Sequence, residues 1–161
     1  MSQILTEIAE RIRGEVPELE RMIKRAQTAW EKACVRSIDQ DVYLDSVALN
    51  LHGIYSGIEK LFELIAVHLD DSPPTGKTWH RDLLRKMAQE VPGVRPAVIA
   101  YDRLPRLDEL RRFRHIFRYS YDFELDWERM KLVLKRSDEL HKIYQKELNQ
   151  FQNFLNQLIK S

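Results

Sequence analysis

The sequence predicts an all-α protein, an antiparallel bundle of about five to six helices, on three observations. Apolar residues recur at steps of three and four along most of the chain, and no segment shows the two-residue alternation of a strand. The five Gly and six Pro of the 161 residues sit almost entirely where helices should break. A balance of 43% hydrophobic and 32% charged residues suits a single domain, residues 1–161, with a core of its own.

Residues 2–13 read as a short amphipathic helix that ends near Gly14, and Pro17 then opens a second helix in its first turn, running to about Ser37. Asp39 is placed to cap a long third helix through about Leu69. Its Leu44, Val47, Leu51, Ile54, Ile58, Leu61 and Ile65 form one continuous apolar stripe. The stretch DDSPPTGKT, 70–78, is the clearest loop. Its GKT ending is not a phosphate-binding loop, because Asp71 stands where that motif needs glycine and no strand precedes it. WHRDLLRKMAQEV follows as a helix of about ten residues, stopped by Pro92-Gly93. Pro96 starts a further helical stretch, which Pro105 should kink or split before LDELRRFRHIFRYS continues to about Tyr119. Asp126 caps a final helix that runs to the end.

Composition narrows the chemistry. The single Cys34 excludes an intramolecular disulfide and a multi-cysteine zinc site, and its position in a helical pattern beside Ala33 and Val35 reads as a buried thiol. The first fourteen residues carry acidic groups and no apolar core, unlike a signal peptide, and no apolar run approaches a membrane span. A cytoplasmic protein with no membrane association is expected. His52, His68, His80, His115 and His141 show no ligand spacing with carboxylates, so no metal or other cofactor is expected.

The net charge of +1 is unevenly spread. Between Arg103 and Arg118 lie Arg103, Arg106, Arg111, Arg112, Arg114 and Arg118 against Asp108 and Glu109. Such a stripe suits phosphate, RNA or an acidic partner, and equally a solvated face whose Arg stems cover apolar surface. On a helix, Leu107, Leu110, Phe113 and Phe117 share the core-facing stripe. Arg111, Arg114, His115 and Arg118 fall on another face, with Tyr119 one turn beyond His115. A guanidinium offers a planar fork for phosphate, and an imidazole exchanges a proton near neutral pH.

The segment FRHIFRYSY, 113–121, resembles the HEPN superfamily of small helical domains, and more narrowly the HepT-type toxins. Their signature is Arg, four residues, His, one residue, Tyr. Here Arg114, HIFR, Tyr119, Ser120 and Tyr121 keep that spacing, with His115 as the polar residue after the Arg, but Tyr119 occupies the His position. The resemblance extends over about residues 40–135, through LHGIYSGIEKLFELIA, WHRDLLRKM and FELDWERM. It implies a HEPN-type bundle, a homodimer whose two motifs line one cleft for single-stranded RNA, and metal-independent endoribonuclease activity. Arg114 would hold the scissile phosphate, Arg111 and Arg118 would contact RNA, and His115, Tyr119 and Tyr121 would complete the catalytic set. A phenol at 119 is a poor general base, so the implied ribonuclease is weakened or inactive, with His115 a partial substitute. The resemblance further implies a MNT-type nucleotidyltransferase antitoxin that adenylylates Tyr121 and so blocks the cleft with negative charge and bulk. Two other readings stand beside it: a non-catalytic HEPN module that binds RNA or a nucleotidyltransferase partner, and a plain helical interaction domain.

Five further features stand out on sequence alone. Trp79-His80 is a packing anchor and a cap neighbour, or lies near the cleft. Glu59 faces an Arg of the motif helix or points to solvent. His52, Gly53 and Gly57 mark a close helix–helix approach. Tyr43, Tyr55, Phe62, Phe151 and Phe154 occur at helical spacing and read as core or dimer surface, and the final helix is a bundle seam or a partner contact.

Overall fold

The computed structural model describes the backbone of residues 2–35, 38–119 and 127–161, and the side chains of these residues except 115–119, 127, 129, 137 and 138. The first surprise lies in α1, Ser2–Val35, which runs unbroken through Gly14 and Pro17. Two helices were expected there. Gly and Pro inside a helix cost about 1 and 3 kcal/mol. Against that, Ile8, Ile12 and Leu19 are fully buried on either side of Pro17, each contributing about 1.5–3 kcal/mol. An unbroken helix keeps all three in the core, and burial prevails over local preference.

Gly14 itself has open space where a Cβ would sit. Gly14→Ala is therefore expected to stabilise the protein by about 0.5–1 kcal/mol, because alanine loses less backbone entropy in a helix. A urea midpoint that stays put or falls would show that α1 is strained at this point.

α2, Gln40–His68, buries the whole predicted stripe from Leu44 to Ile65. It begins where Asp39 predicts, but the Asp39 carboxylate makes no capping bond. Its backbone carbonyl instead accepts from the Tyr43 amide at 3.2 Å. α1 and α2 form an antiparallel hairpin, since Gly53 lies against Met22 while Gly57, one turn on, lies against Leu19 and Glu15. A Cβ on Gly53 would fall 2.7 Å from the Met22 Sδ, so the close approach expected of these glycines is real. Cys34, read as buried, is exposed. It follows buried Ala33 by one residue, and a 100° turn carries it off the packed stripe.

The loop after α2 leads to α3, Trp79–Met87. Residues 96–100, expected to be helical, are not. The chain instead closes a tight turn with Val91 and Arg95 exchanging backbone hydrogen bonds of 2.9 and 3.0 Å, and the Val98 amide donates to the Met87 carbonyl at 2.9 Å. The Arg95 side chain explains the departure. It is fully buried, donates Nε to Asp70 Oδ1 at 2.6 Å and NH2 to Asp70 Oδ2 at 2.8 Å, and also reaches the carbonyls of Lys86, Gln89 and Pro96. These carbonyls converge on one guanidinium only if the chain wraps around it.

A 3₁₀ turn, Tyr101–Arg103, then enters α4, Leu104–Tyr119. Pro105 lies in the first turn of α4, where its missing N–H is tolerated, so it opens the helix and does not split it. The final helix is likewise not single. α5, Trp127–Lys135, is separated from α6, Ser137–Lys142, at Arg136, whose φ and ψ are −96° and 5°. A π segment, Ile143–Leu148, joins α6 to α7, Asn149–Lys160. The Asp126 cap lies outside the described residues.

α7 and the π segment pack on α1, α4 packs on α2, and α3 touches both α2 and α4. Tyr55, Phe62 and Phe151 are core residues, with Tyr43 and Phe154 partly buried against them. Phe151 and Leu155 are buried and Ile159 packs beside them, so α7 is a bundle seam. Among the described residues there is no strand, and no helix is long and apolar enough to cross a membrane. The fold is an all-α bundle, as predicted.

Candidate functional site

The middle of α2 carries Tyr55 and Glu59 one turn apart and therefore on one face. α3 brings His80 to that face at its N-terminal end, and α4 brings Arg114. Glu59 is buried and divides its carboxylate between them. Oε1 accepts from Arg114 NH1 at 2.7 Å, and Oε2 lies 2.6 Å from His80 Nδ1. The question left open by the sequence is thereby decided: Glu59 faces the motif helix. The carboxylate only accepts, so Nδ1 carries a proton and Nε2 is the ring nitrogen that the contact leaves uncommitted.

Two aromatic rings fix the geometry. The Arg114 guanidinium carbon stands 5.6 Å from the centre of the Tyr55 ring. Trp79 stacks on His80 with ring centres 3.6 Å apart and planes inclined by 27°. Trp79 is thus both the packing anchor and the ring that holds His80 in place. The Tyr55 phenol is pushed well above its ordinary pKa, first by burial and then by the negative charge of Glu59, with Arg111 and Arg114 opposing. It stays a neutral phenol. Arg114 Nε is buried and has no hydrogen-bond partner among the described residues.

Glu63, one turn beyond Glu59, is raised above the usual carboxylate range, first by burial and then by repulsion from Glu59, while His80, Arg114 and Lys60 oppose this. A raised folded-state pKa means that the folded protein binds more protons just above the unfolded value. Stability from this group is therefore present at low pH and falls as pH rises through the raised value. Glu63→Gln is expected to flatten the stability profile above pH 4.5, as read by denaturant midpoints in a pH series. An unchanged slope would remove Glu63 as its source.

The basic stripe is less free than its composition suggests. Arg103 donates Nε to Glu147 at 3.0 Å and Arg106 to Glu139 at 3.0 Å. Arg111 and Arg112 both hold Asp108, at 2.8 and 2.9 Å. Arg136 completes the seam by binding Glu109. Much of the stripe thus ties α4 to its neighbours and to itself.

Of the motif residues, the structure brings Arg114 into the Glu59–His80 cluster and leaves Arg111 half-buried on Asp108. His115, Arg118 and Tyr119 lie on α4 with side chains outside the described residues, and Tyr121 lies outside them altogether. Tyr55 and His80 were not singled out as site residues. The four-residue step from Tyr55 to Glu59 was legible as a shared face, whereas nothing in spacing joins His80 to Glu59.

Residues 46–155 match the family model described as HepT-like protein. No curated protein and no solved structure matches the chain. The match takes in α3, α4 and most of α2, and so all three residues of the Glu59 cluster. It covers more than half of the 161 residues. With its all-α, HEPN-type bundle, the chain belongs to the HepT-like family.

Proposed function

We propose that this chain is a HepT-like toxin module whose task is metal-independent cleavage of single-stranded RNA, weakened by the phenol at position 119. In this reading two copies pair to form the cleft. Arg114 grips the scissile phosphate and offsets the charge that builds on it during cleavage. Arg111 and Arg118 contact neighbouring phosphates, and Tyr119 donates a hydrogen bond but does not take a proton. A MNT-type nucleotidyltransferase partner silences the cleft by adenylylating Tyr121.

The supporting observation is the anchoring of Arg114. Glu59 fixes one of its nitrogens and the Tyr55 face lies beside the guanidinium, while its Nε has no partner among the described residues. A purely structural guanidinium is more often saturated, as Arg95 is in the same molecule. The presence of Tyr119 favours a second reading, a HEPN module that holds RNA or its nucleotidyltransferase partner without cutting.

The test is RNA cleavage in EDTA by three proteins: the chain itself, Tyr119→His, and Tyr119→His combined with Arg114→Ala. Strong cleavage by Tyr119→His alone is the expected result. If none of the three cuts while the first two bind RNA, the non-catalytic module replaces the ribonuclease. Loss of binding as well would return the Arg stripe to ordinary surface.

A further inference from the structure

Resting on the ribonuclease reading above, we propose that His80, held by Glu59 and Trp79, is the general base that the motif lacks at Tyr119, so that residual cleavage by this chain runs through His80 Nε2. Position 80 lies outside the motif, on another helix, and enters only through the fold.

Three observations converge on it. First, His80 and Arg114 share one carboxylate, each within 2.7 Å of its own oxygen of Glu59. An imidazole and a guanidinium held on the same carboxylate are close enough to serve one phosphodiester, the guanidinium on a phosphate oxygen and the imidazole at the adjoining ribose. Second, the Glu59 contact commits Nδ1 as donor, so in the neutral ring Nε2 carries the lone pair. A carboxylate behind an imidazole in this way fixes the tautomer and stabilises the imidazolium that forms after proton uptake. Third, the rest of the setting is rigid while the ring stays reachable. The Glu59 side chain is 5% exposed and Trp79 stacks on one face of the imidazole, but the His80 side chain is 33% exposed. One-third of the side chain is therefore open to an approaching substrate.

The step balances without a metal or redox partner. His80 Nε2 takes the proton of the ribose 2′-hydroxyl, O2′ forms a bond to phosphorus, and the bond from phosphorus to O5′ breaks with its electron pair leaving on oxygen. Water protonates that leaving oxygen. One product ends in a 2′,3′-cyclic phosphate and the other in a 5′-hydroxyl. Arg114 stabilises the charge on the non-bridging oxygens, and Glu59 acts through the other two as a positioning residue.

The experiment is a double-mutant cycle on the full-length chain, read as single-turnover cleavage of a labelled single-stranded RNA in EDTA, with RNA binding measured in parallel. His80→Gln keeps a donor for Glu59 but no base. In the Tyr119 protein it is expected to lower cleavage by about 10²-fold or more while binding is retained. In the Tyr119→His background, where the motif supplies its own base, the same change should cost less than about tenfold. His80→Ala should regain cleavage when free imidazole is added, which a structural role would not produce. Equal losses in both backgrounds, no imidazole rescue, or a loss on His115→Gln in place of His80→Gln would overturn the assignment and leave the ribonuclease reading intact. Cleavage by Tyr119→His with none by the parent would do the same. No cleavage by any protein, Tyr119→His included, would overturn both.

Discussion

Arg95→Ala is expected to lower the unfolding free energy by about 3–5 kcal/mol, the range for removing one partner of a buried ion pair. The magnitude follows from burial. The Arg95 and Asp70 side chains are 0% and 1% exposed, so neither ion is solvated by water. Truncation would strand the Asp70 carboxylate, and it would also take away the donor on which the carbonyls of Lys86, Gln89 and Pro96 converge. Lys86, whose Nζ is 3.7 Å from Asp70, softens the loss but cannot replace a two-pronged contact. A surface pair such as Arg21–Glu18, with both side chains more than half exposed, is worth at most about 1 kcal/mol. Denaturant unfolding of Arg95→Ala beside Arg21→Ala makes the comparison direct. A loss at Arg95 as small as that at Arg21 would show that water reaches the pair.

Tyr119→His is expected to raise RNA cleavage by about 10²–10⁴-fold, the contribution of a positioned general acid or base. An unperturbed phenol has a pKa of about 10, so near neutral pH only about one in a thousand is ionised. An imidazole is present as base in large fraction under the same conditions. On the proposed reading Arg114 stabilises charge in both proteins and His80 sustains only residual cleavage, so the gain reports what a base within the motif adds. Tyr119→Phe is the companion variant, expected to leave cleavage at or below the parent rate. A gain of less than about tenfold on Tyr119→His would mean that a histidine at position 119 adds no base beyond what the parent already has.

What the sequence discloses is set by distance along the chain. The α2 stripe from Leu44 to Ile65 and the seam at Phe151 and Leu155 were legible because three- and four-residue steps report a buried face directly. Pro17 and Pro105 show the limit. Both carry the same local signal, yet Pro105 opens a helix and Pro17 lies inside one, because the balance at Pro17 depends on burying Ile8, Ile12 and Leu19 in a core whose other residues come later in the sequence. Cys34 was misplaced by a single residue's rotation. In the candidate site, Arg114 could be found from its motif, but its partner Glu59 lies 55 residues away, and His80, which shares Glu59, is 21 residues from Glu59. Arg95 and Asp70 are 25 apart, and no periodic pattern joins them.

The π segment from Ile143 to Leu148 has a consequence for how this protein tolerates change in length. A π turn closes its hydrogen bonds across five residues where an α turn needs four, so this stretch holds a residue that an α-helix would not require. One deletion here could be absorbed by tightening to α geometry, with Phe151 and Leu155 still buried in the seam. The same deletion in the middle of α2 would swing every later side chain by about 100° and expose half the core. Relatives that differ by a single residue in this part of the chain would therefore keep the same seam, the slack being stored inside the helix and not in a loop.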